Sequence, residues 1–178
     1  TLKALPPRIR PQISLGYLLA RIADTIADSK GGPTDQRLIA LEQFNEYIQG
    51  RTGALPNLAI FARLQSDPAE VQLIEHAAAP ITFLEQVSDA DRQRIRQVLD
   101  TITSGQMLDL KRFAYSTGNT IIPLARDEEL DDYTYRVAGC VGEFWTNLSL
   151  AHLFEVDPAT EVRLIETGVR FGKGLQLV

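Results

Sequence analysis

One cysteine, Cys140, and two histidines are all the soft metal-ligand chemistry that these 178 residues contain. A lone thiol excludes an intrachain disulfide framework. Neither His76 nor His152 has a cysteine or second histidine at ligand spacing, so no zinc site is encoded. This composition suits a reducing compartment, and the expected localisation is cytoplasmic. No run reaches the roughly 18 uninterrupted apolar residues that a membrane span requires, and no signal-peptide pattern opens the chain. Lys/Arg-rich runs are also missing. With 23 acidic against 18 basic residues, the formal charge of -5 and the pI near 5.1 argue against nucleic acid as a partner. No alternating apolar segment bounded by turns reads as a strand, since the stretch 120–123 is too short and includes Pro123. Neither a repeat at fixed period nor a glycine-rich nucleotide loop is present.

What remains is helical periodicity. After a lead-in loop marked by Pro6, Pro7 and Pro11, the residues Ile13, Leu15, Leu18, Leu19, Ile22, Ala23 and Ile26 recur at helical spacing until Gly31-Gly32-Pro33. Thr34 or Asp35 can cap a second helix carrying Leu38, Leu41, Phe44 and Ile48 and ending near Gly50. A short helix is expected over 57–65. Asp67-Pro68 reads as an N-cap with proline at the first helical position, opening a helix that runs toward Pro80, with a further turn over 81–87. Ser88 opens the longest helix, whose stripe runs from Ile95 to Phe113. A loop over 115–125 precedes an acidic run, 127–132, read as charge that favours a helix start. It leads into a helix over 133–154, and Asp157-Pro158 starts the last segment. The fold class is therefore all-α, one domain over 1–178. Thr1 is not an initiator methionine, and Val178 follows neither a glycine cap, a proline nor a polar tail. The domain is therefore expected to be incomplete at both ends.

Two constellations carry chemistry. In Arg21-Ile-Ala-Asp24-Thr-Ile-Ala-Asp28 two carboxylates stand one helical turn apart, in one sector with Tyr17 and Arg21. Carboxylates on an inward face repel and lose solvation, which a hard cation relieves through oxygen ligands, while a guanidinium takes phosphate oxygens bidentately. On the residues alone the stretch is equally an exposed helix end in which Asp24 pairs with Arg21. In Tyr133-Thr-Tyr-Arg-Val-Ala-Gly-Cys-Val-Gly142 the small residues Ala138, Gly139 and Gly142 fall inside a helix, where each glycine costs about 1 kcal/mol against alanine. Tight helix crossing is one reason for them, and room for an apolar ligand chain is another. Tyr133 offers a hydroxyl that can donate a hydrogen bond or relay a proton. Gln106 and Asp109 on the long helix can face a cavity, but Asp109, followed by Lys111 and Arg112, reads as a solvated ion pair. Phe144, Trp145 and Leu148 read as core, and Cys140 as a buried small apolar residue.

Together the two segments resemble the squalene/phytoene synthase family, the head-to-head prenyl synthases, and its squalene synthase branch in particular. Asp24-Thr-Ile-Ala-Asp28 is similar to that branch's first aspartate-rich motif, Asp-Thr-(Leu/Ile)-Glu-Asp, with Ala27 in place of glutamate. Tyr133 to Gly142 is similar to the Tyr-x-x-Tyr-Val-Ala-Gly-x-Val-Gly signature, with Arg136 at the second tyrosine. The family's second aspartate-rich motif and its Ser-Arg-Ser-Phe segment have no counterpart here. The resemblance implies a helical bundle of the isoprenoid synthase type around a central apolar cavity. It further implies magnesium on Asp24 and Asp28, diphosphate on Arg21, and Tyr17 and Tyr133 at the reacting centres. Val137, Ala138, Val141, Gly142 and Gln176 would line a prenyl channel. The implied activity joins two farnesyl diphosphates through presqualene diphosphate to squalene, with NADPH as reductant and peripheral membrane association consistent with a lipophilic product. Phytoene-, dehydrosqualene- or hydroxysqualene-forming siblings share the first half-reaction, and a non-catalytic lipid-binding bundle is the alternative of another class. With a single aspartate motif, magnesium binding is expected to be weak.

Overall fold

The computed structural model describes residues 2–29, 32–113 and 123–178. Most of the loop expected over 115–125 lies outside them. After a single 3-10 turn at Leu2–Ala4, the chain forms α1 (Arg10–Ala27), α2 (Thr34–Ile48), α3 (Ala59–Leu64), α4 (Pro68–Glu75), α5 (Ala78–Leu84) and α6 (Asp89–Arg112). Next come α7 (Asp127–Thr134), a π-helical turn (Tyr135–Gly139), α8 (Cys140–His152) and α9 (Pro158–Gln176). No strand occurs among the described residues, and no helix there is long and apolar enough to cross a membrane.

The helix starts reflect capping chemistry. Asp67, Ser88 and Asp157 each accept a hydrogen bond from a backbone N–H in the first turn of α4, α6 and α9 (2.9, 3.2 and 3.0 Å). Pro11 lies inside the first turn of α1, not in a preceding loop, because proline is tolerated where the N–H has no helical partner. Neither Thr34 nor Asp35 caps α2: Pro33 holds the cap position, and the Thr34 hydroxyl accepts from Arg37 instead (3.1 Å). The expected helix beyond Pro68 divides, with α4 ending at Glu75 and Pro80 seated early in α5. The acidic run is itself helical, placing Asp127, Glu128 and Glu129 in the first turn of α7. Lys111 and Arg112 sit in the last turn of α6, where the helix macrodipole favours cations.

α6, the longest helix, packs against α1, α2, the π turn and α8. Leu19, Ile22 and Ile26 of α1, Leu41, Phe44 and Ile48 of α2, Ile95 and Leu99 of α6 and Leu148 of α8 are fully buried. Burying each such side chain contributes about 1.5–3 kcal/mol. Phe144 and Cys140 are buried as expected, but Trp145 is 42% exposed and belongs to a surface groove, not to the core. α9 buries only Gly172 and presents Val162, Phe171 and Leu175 outward.

A buried carboxylate ties three helices. Asp91, 2% exposed in the first turn of α6, accepts from Gln12 of α1 (3.1 Å), lies 2.9 Å from His152 Nε2 of α8 and pairs with Arg94 (3.0 Å). Burial alone would raise its carboxyl; the hydrogen bonds from His152 and Gln12 and the His152 charge outweigh that and hold it below the usual carboxylate range. The resulting stabilisation is present above the unfolded carboxyl value of about 3.9 and is lost as pH falls through the lower folded one. Asp91→Ala is expected to cost about 2–3 kcal/mol at neutral pH, because it strands buried donors, and clearly less near pH 3. Urea unfolding at the two pH values checks this; an equal loss at both would remove the carboxylate charge from the account.

Candidate active site

On α1 the positions of Tyr17, Arg21, Asp24 and Asp28 share one helical sector, but their side chains do different things. Tyr17 is 55% exposed. Arg21 donates to Glu70 Oε1 of α4 at 2.5 Å, and no Arg21–Asp24 ion pair forms. Asp24 is half-buried and accepts from Gln106 Nε2 of α6, also at 2.5 Å. Asp28 caps the end of α1 and is exposed. Burial, then the like charge of Asp28, raises the Asp24 carboxyl above the usual range, while the Arg21 charge and the Gln106 bond oppose the rise.

Asp28 lines a polar cavity of about 450 Å³ together with Thr34 and Arg37 of α2 and Gln106 and Asp109 of α6. Ala27, Leu110 and Phe113 supply its apolar wall. Asp109 is not the solvated ion pair expected from its neighbours. Burial raises its carboxyl, with the Arg112 charge opposing, and its Oδ1 is sealed without a hydrogen-bond partner among the described residues. Arg37 donates to the Ala27 carbonyl at the end of α1 (2.8 Å). Gln106, Asp109 and Arg37 are thus cavity residues that neither motif contains. The signal for the first two is an amide and a carboxylate three positions apart on a helix with an apolar stripe.

The second motif folds as the end of α7, the π turn and the start of α8, so the helix expected over 133–154 forms as an unbroken helical path that starts earlier, at Asp127, ends at His152 and carries a π turn. A π turn fits one extra residue into a helical path and so re-aims the helix beyond it. Val137, Ala138, Val141 and Gly142 share an apolar groove of about 440 Å³ with Trp145, Thr146 and the α9 residues Gly168, Phe171, Gly172 and Leu175. It opens outward at Phe171 and Leu175, 66% and 61% exposed. Gln176 is exposed and is not among the lining residues, so the structure does not join it to the other four. Small residues serve the crossing itself: a Cβ on Gly142 would collide with the Gly168 carbonyl, and one on Gly172 with the Ala138 carbonyl. Tight approach is therefore a sufficient reason for Gly142, and the groove lies alongside it.

Tyr133 is half-buried next to the end of α7, and its hydroxyl has no hydrogen bond among the described residues. Tyr135 is the engaged phenol. It donates to Glu143 Oε2 at 2.8 Å and lies beneath Lys173 Nζ, 5.7 Å from the ring centre. Burial and the Glu143 bond push it up to about 12. Arg136 donates from Nε to both oxygens of Asp132 (2.9 Å each) and from Nη1 to Ser104 Oγ (2.8 Å), against Gly105 of α6. Residues 104–106 of α6 therefore touch the π turn on one side and Asp24 on the other.

The donor set around Asp24 fits a hard cation. It consists of oxygen ligands, two like charges with no ion pair to another described residue, and Gln106 Oε1, buried and without a hydrogen-bond partner among the described residues. No group of three or more His, Cys, Asp or Glu side chains that could hold a metal occurs among the described residues.

A family model described as squalene/phytoene synthase matches residues 1–178. The solved complex of TcSQS with the ligand E5700 superposes on 96% of this chain and 44% of its own, with a TM-score of 0.70 and 20% sequence identity. Its complex with the ligand BPH1237 gives 98%, 46%, 0.68 and 20%. The chain thus spans less than half the length of these structures, and the likeness is one of fold, the all-α isoprenoid synthase fold. No curated protein is significantly similar in sequence.

This geometry yields two expectations. Gly142→Ala should cost about 3 kcal/mol, because the added methyl meets backbone that cannot give way; unchanged thermal unfolding would contradict the crossing. Asp24 is disfavoured when ionised, so its cost to stability is present above its raised folded value and is relieved as pH falls through it. Metal-free Asp24→Asn should therefore melt about 2–4 °C higher at neutral pH, the shift for about 1 kcal/mol of relieved repulsion. A lower melting point would show that the carboxylate stabilises the fold instead.

Proposed function

The chain belongs to the squalene/phytoene synthase family, and we propose on that footing that it serves a magnesium-dependent prenyltransferase joining two farnesyl diphosphates head to head. The product of the first half-reaction is presqualene diphosphate, and squalene is the end product. The observation that carries the proposal is the partly desolvated Asp24 carboxylate one helical turn before Asp28, which lines a polar cavity, in a chain whose second-motif residues build an apolar groove. Ionising an allylic diphosphate requires compensation of the leaving charge, and the carbocation then requires a dry surround to escape capture by water. The two features divide those requirements between them.

Asp24 and Asp28 would hold magnesium, which supplies positive charge against the departing diphosphate. Arg37, already inside the cavity, and Arg21, once released from Glu70, would bind phosphate oxygens. Val137, Ala138, Val141 and Trp145 would exclude water from the prenyl chain. Tyr133, whose hydroxyl has no hydrogen bond among the described residues, and exposed Tyr17 are the candidates to stabilise or deprotonate a cationic centre; Tyr135 is bound to Glu143. The described residues contain no strand and glycine-rich turn of the kind that cradles a dinucleotide. NADPH, the hydride donor that reduction of presqualene diphosphate to squalene requires, is therefore carried by the family reading alone.

Full-length protein incubated with magnesium and farnesyl diphosphate, with and without NADPH, tests the proposal. Pyrophosphate should be released, squalene should form only with NADPH, and Asp24→Asn should lower the rate at least 100-fold. Another hydrocarbon or an alcohol would move the assignment to a phytoene-, dehydrosqualene- or hydroxysqualene-forming sibling. A folded protein that releases no pyrophosphate would favour a lipid-binding bundle.

A further inference from the structure

Gln106 meets Asp24 across the α1–α6 contact, donating from Nε2 to Oδ1. Its other amide atom, Oε1, is sealed from solvent without a hydrogen-bond partner among the described residues, and the side chain lines the cavity that Asp28 also lines. An ionised carboxylate only accepts, so the amide must turn its nitrogen to Asp24 and its oxygen away. Leaving a buried carbonyl unbonded costs free energy, so fold stability alone does not account for this side chain.

A neutral donor at this position has a particular consequence. Asp24 and Asp28 repel one another, and unrestrained carboxylates would swing apart. Lysine or arginine at position 106 would hold Asp24 but neutralise it and compete with any cation. An amide holds it and leaves its charge intact. Arg21, on the same helix face, is bonded to Glu70 and makes no ion pair with Asp24 or Asp28.

We propose that Gln106 is a positioning residue for a divalent cation: through its amide N–H it restrains the Asp24 carboxylate beside Asp28 without neutralising it. The inference rests on the reading that Asp24 and Asp28 hold such an ion. It assigns to α6 a part that neither aspartate motif contains.

The test is binding of Mn2+ alone, monitored by the electron paramagnetic resonance of the free ion, to the unsubstituted protein, Gln106→Leu, Gln106→Met and Asp24→Asn. Metal-free melting curves are taken beside it. The expected result is affinity lowered about 10–100-fold by either Gln106 substitution, the range for residues that orient a metal ligand, with metal-free melting unchanged or raised. Gln106→Met keeps the side-chain length and serves if the leucine variant does not fold. Mn2+ affinity within twofold of the unsubstituted protein in a folded Gln106 variant would overturn the positioning role and leave the aspartate site standing. An unsubstituted protein that binds no Mn2+, or one that Asp24→Asn matches, would overturn the aspartate site and the positioning role with it.

Discussion

The phase of α1 fixes where its charges stand. Leu19, Ile22, Ala23 and Ile26 are wholly buried, and Thr25 is 3% exposed. Rotating the helix to carry Asp24 into water would drag several of these side chains out of the core, at about 1.5–3 kcal/mol for each large one. Asp24 therefore cannot relieve its repulsion with Asp28 by moving the backbone. The relief has to come from partners, and the structure supplies a neutral one, Gln106, while turning the available cation, Arg21, toward Glu70. A charge held this way disfavours the fold and favours a ligand of opposite sign, the trade-off expected where function sets the residue.

α6 makes this arrangement more than local. Its N-terminal end is anchored through Asp91 to α1 and α8, its middle fills the core with Ile95 and Leu99, and its last turns reach Asp24 through Gln106 and Arg136 through Ser104. The polar cavity and the π turn thus lean on the same stretch of helix. Arg136 shows how the second motif tolerates a departure from its usual tyrosine. With Asp132 and Ser104 as partners, the guanidinium binds the end of α7 to α6 and leaves Val137, Ala138 and Val141 facing the groove.

Local chemistry was the legible part of this fold. Asp67, Ser88 and Asp157 announced their helices because a cap is decided by residues within one turn. The burial of Ile22, Ile26, Leu41, Phe44 and Leu99 came from helical periodicity. What depended on distant neighbours was not legible. Trp145 reads as core by composition, and only the outward face of α9 makes it a groove wall. Asp109 reads as a solvated ion with Lys111 and Arg112, until the packing of α6 beside α1 and α2 buries its oxygen. Gln106 can be placed toward a cavity by its position on the long helix, but its bond to Asp24 exists only because the two lie across one helix contact. The π turn was equally invisible, since nothing in Tyr135-Arg-Val-Ala-Gly139 marks where a helix accepts an extra residue. The aspartate pair was visible as a motif, but its exchange of Arg21 for Gln106 was not.

The central claim is that one chain separates a cation-and-diphosphate site at Asp24 and Asp28 from an apolar groove at Val137, Ala138, Val141 and Gly142. The most direct measurement is a crystal structure of the full-length protein with Mn2+ and a non-ionising farnesyl thiodiphosphate, using the anomalous signal of the metal. The account predicts a manganese peak within ligand distance, about 2.0–2.6 Å, of Asp24 or Asp28. It also predicts a diphosphate on that ion and the farnesyl chain against Val137, Ala138 and Val141. A farnesyl chain bound with no metal at the aspartates, or a metal bound with the chain elsewhere, would contradict it.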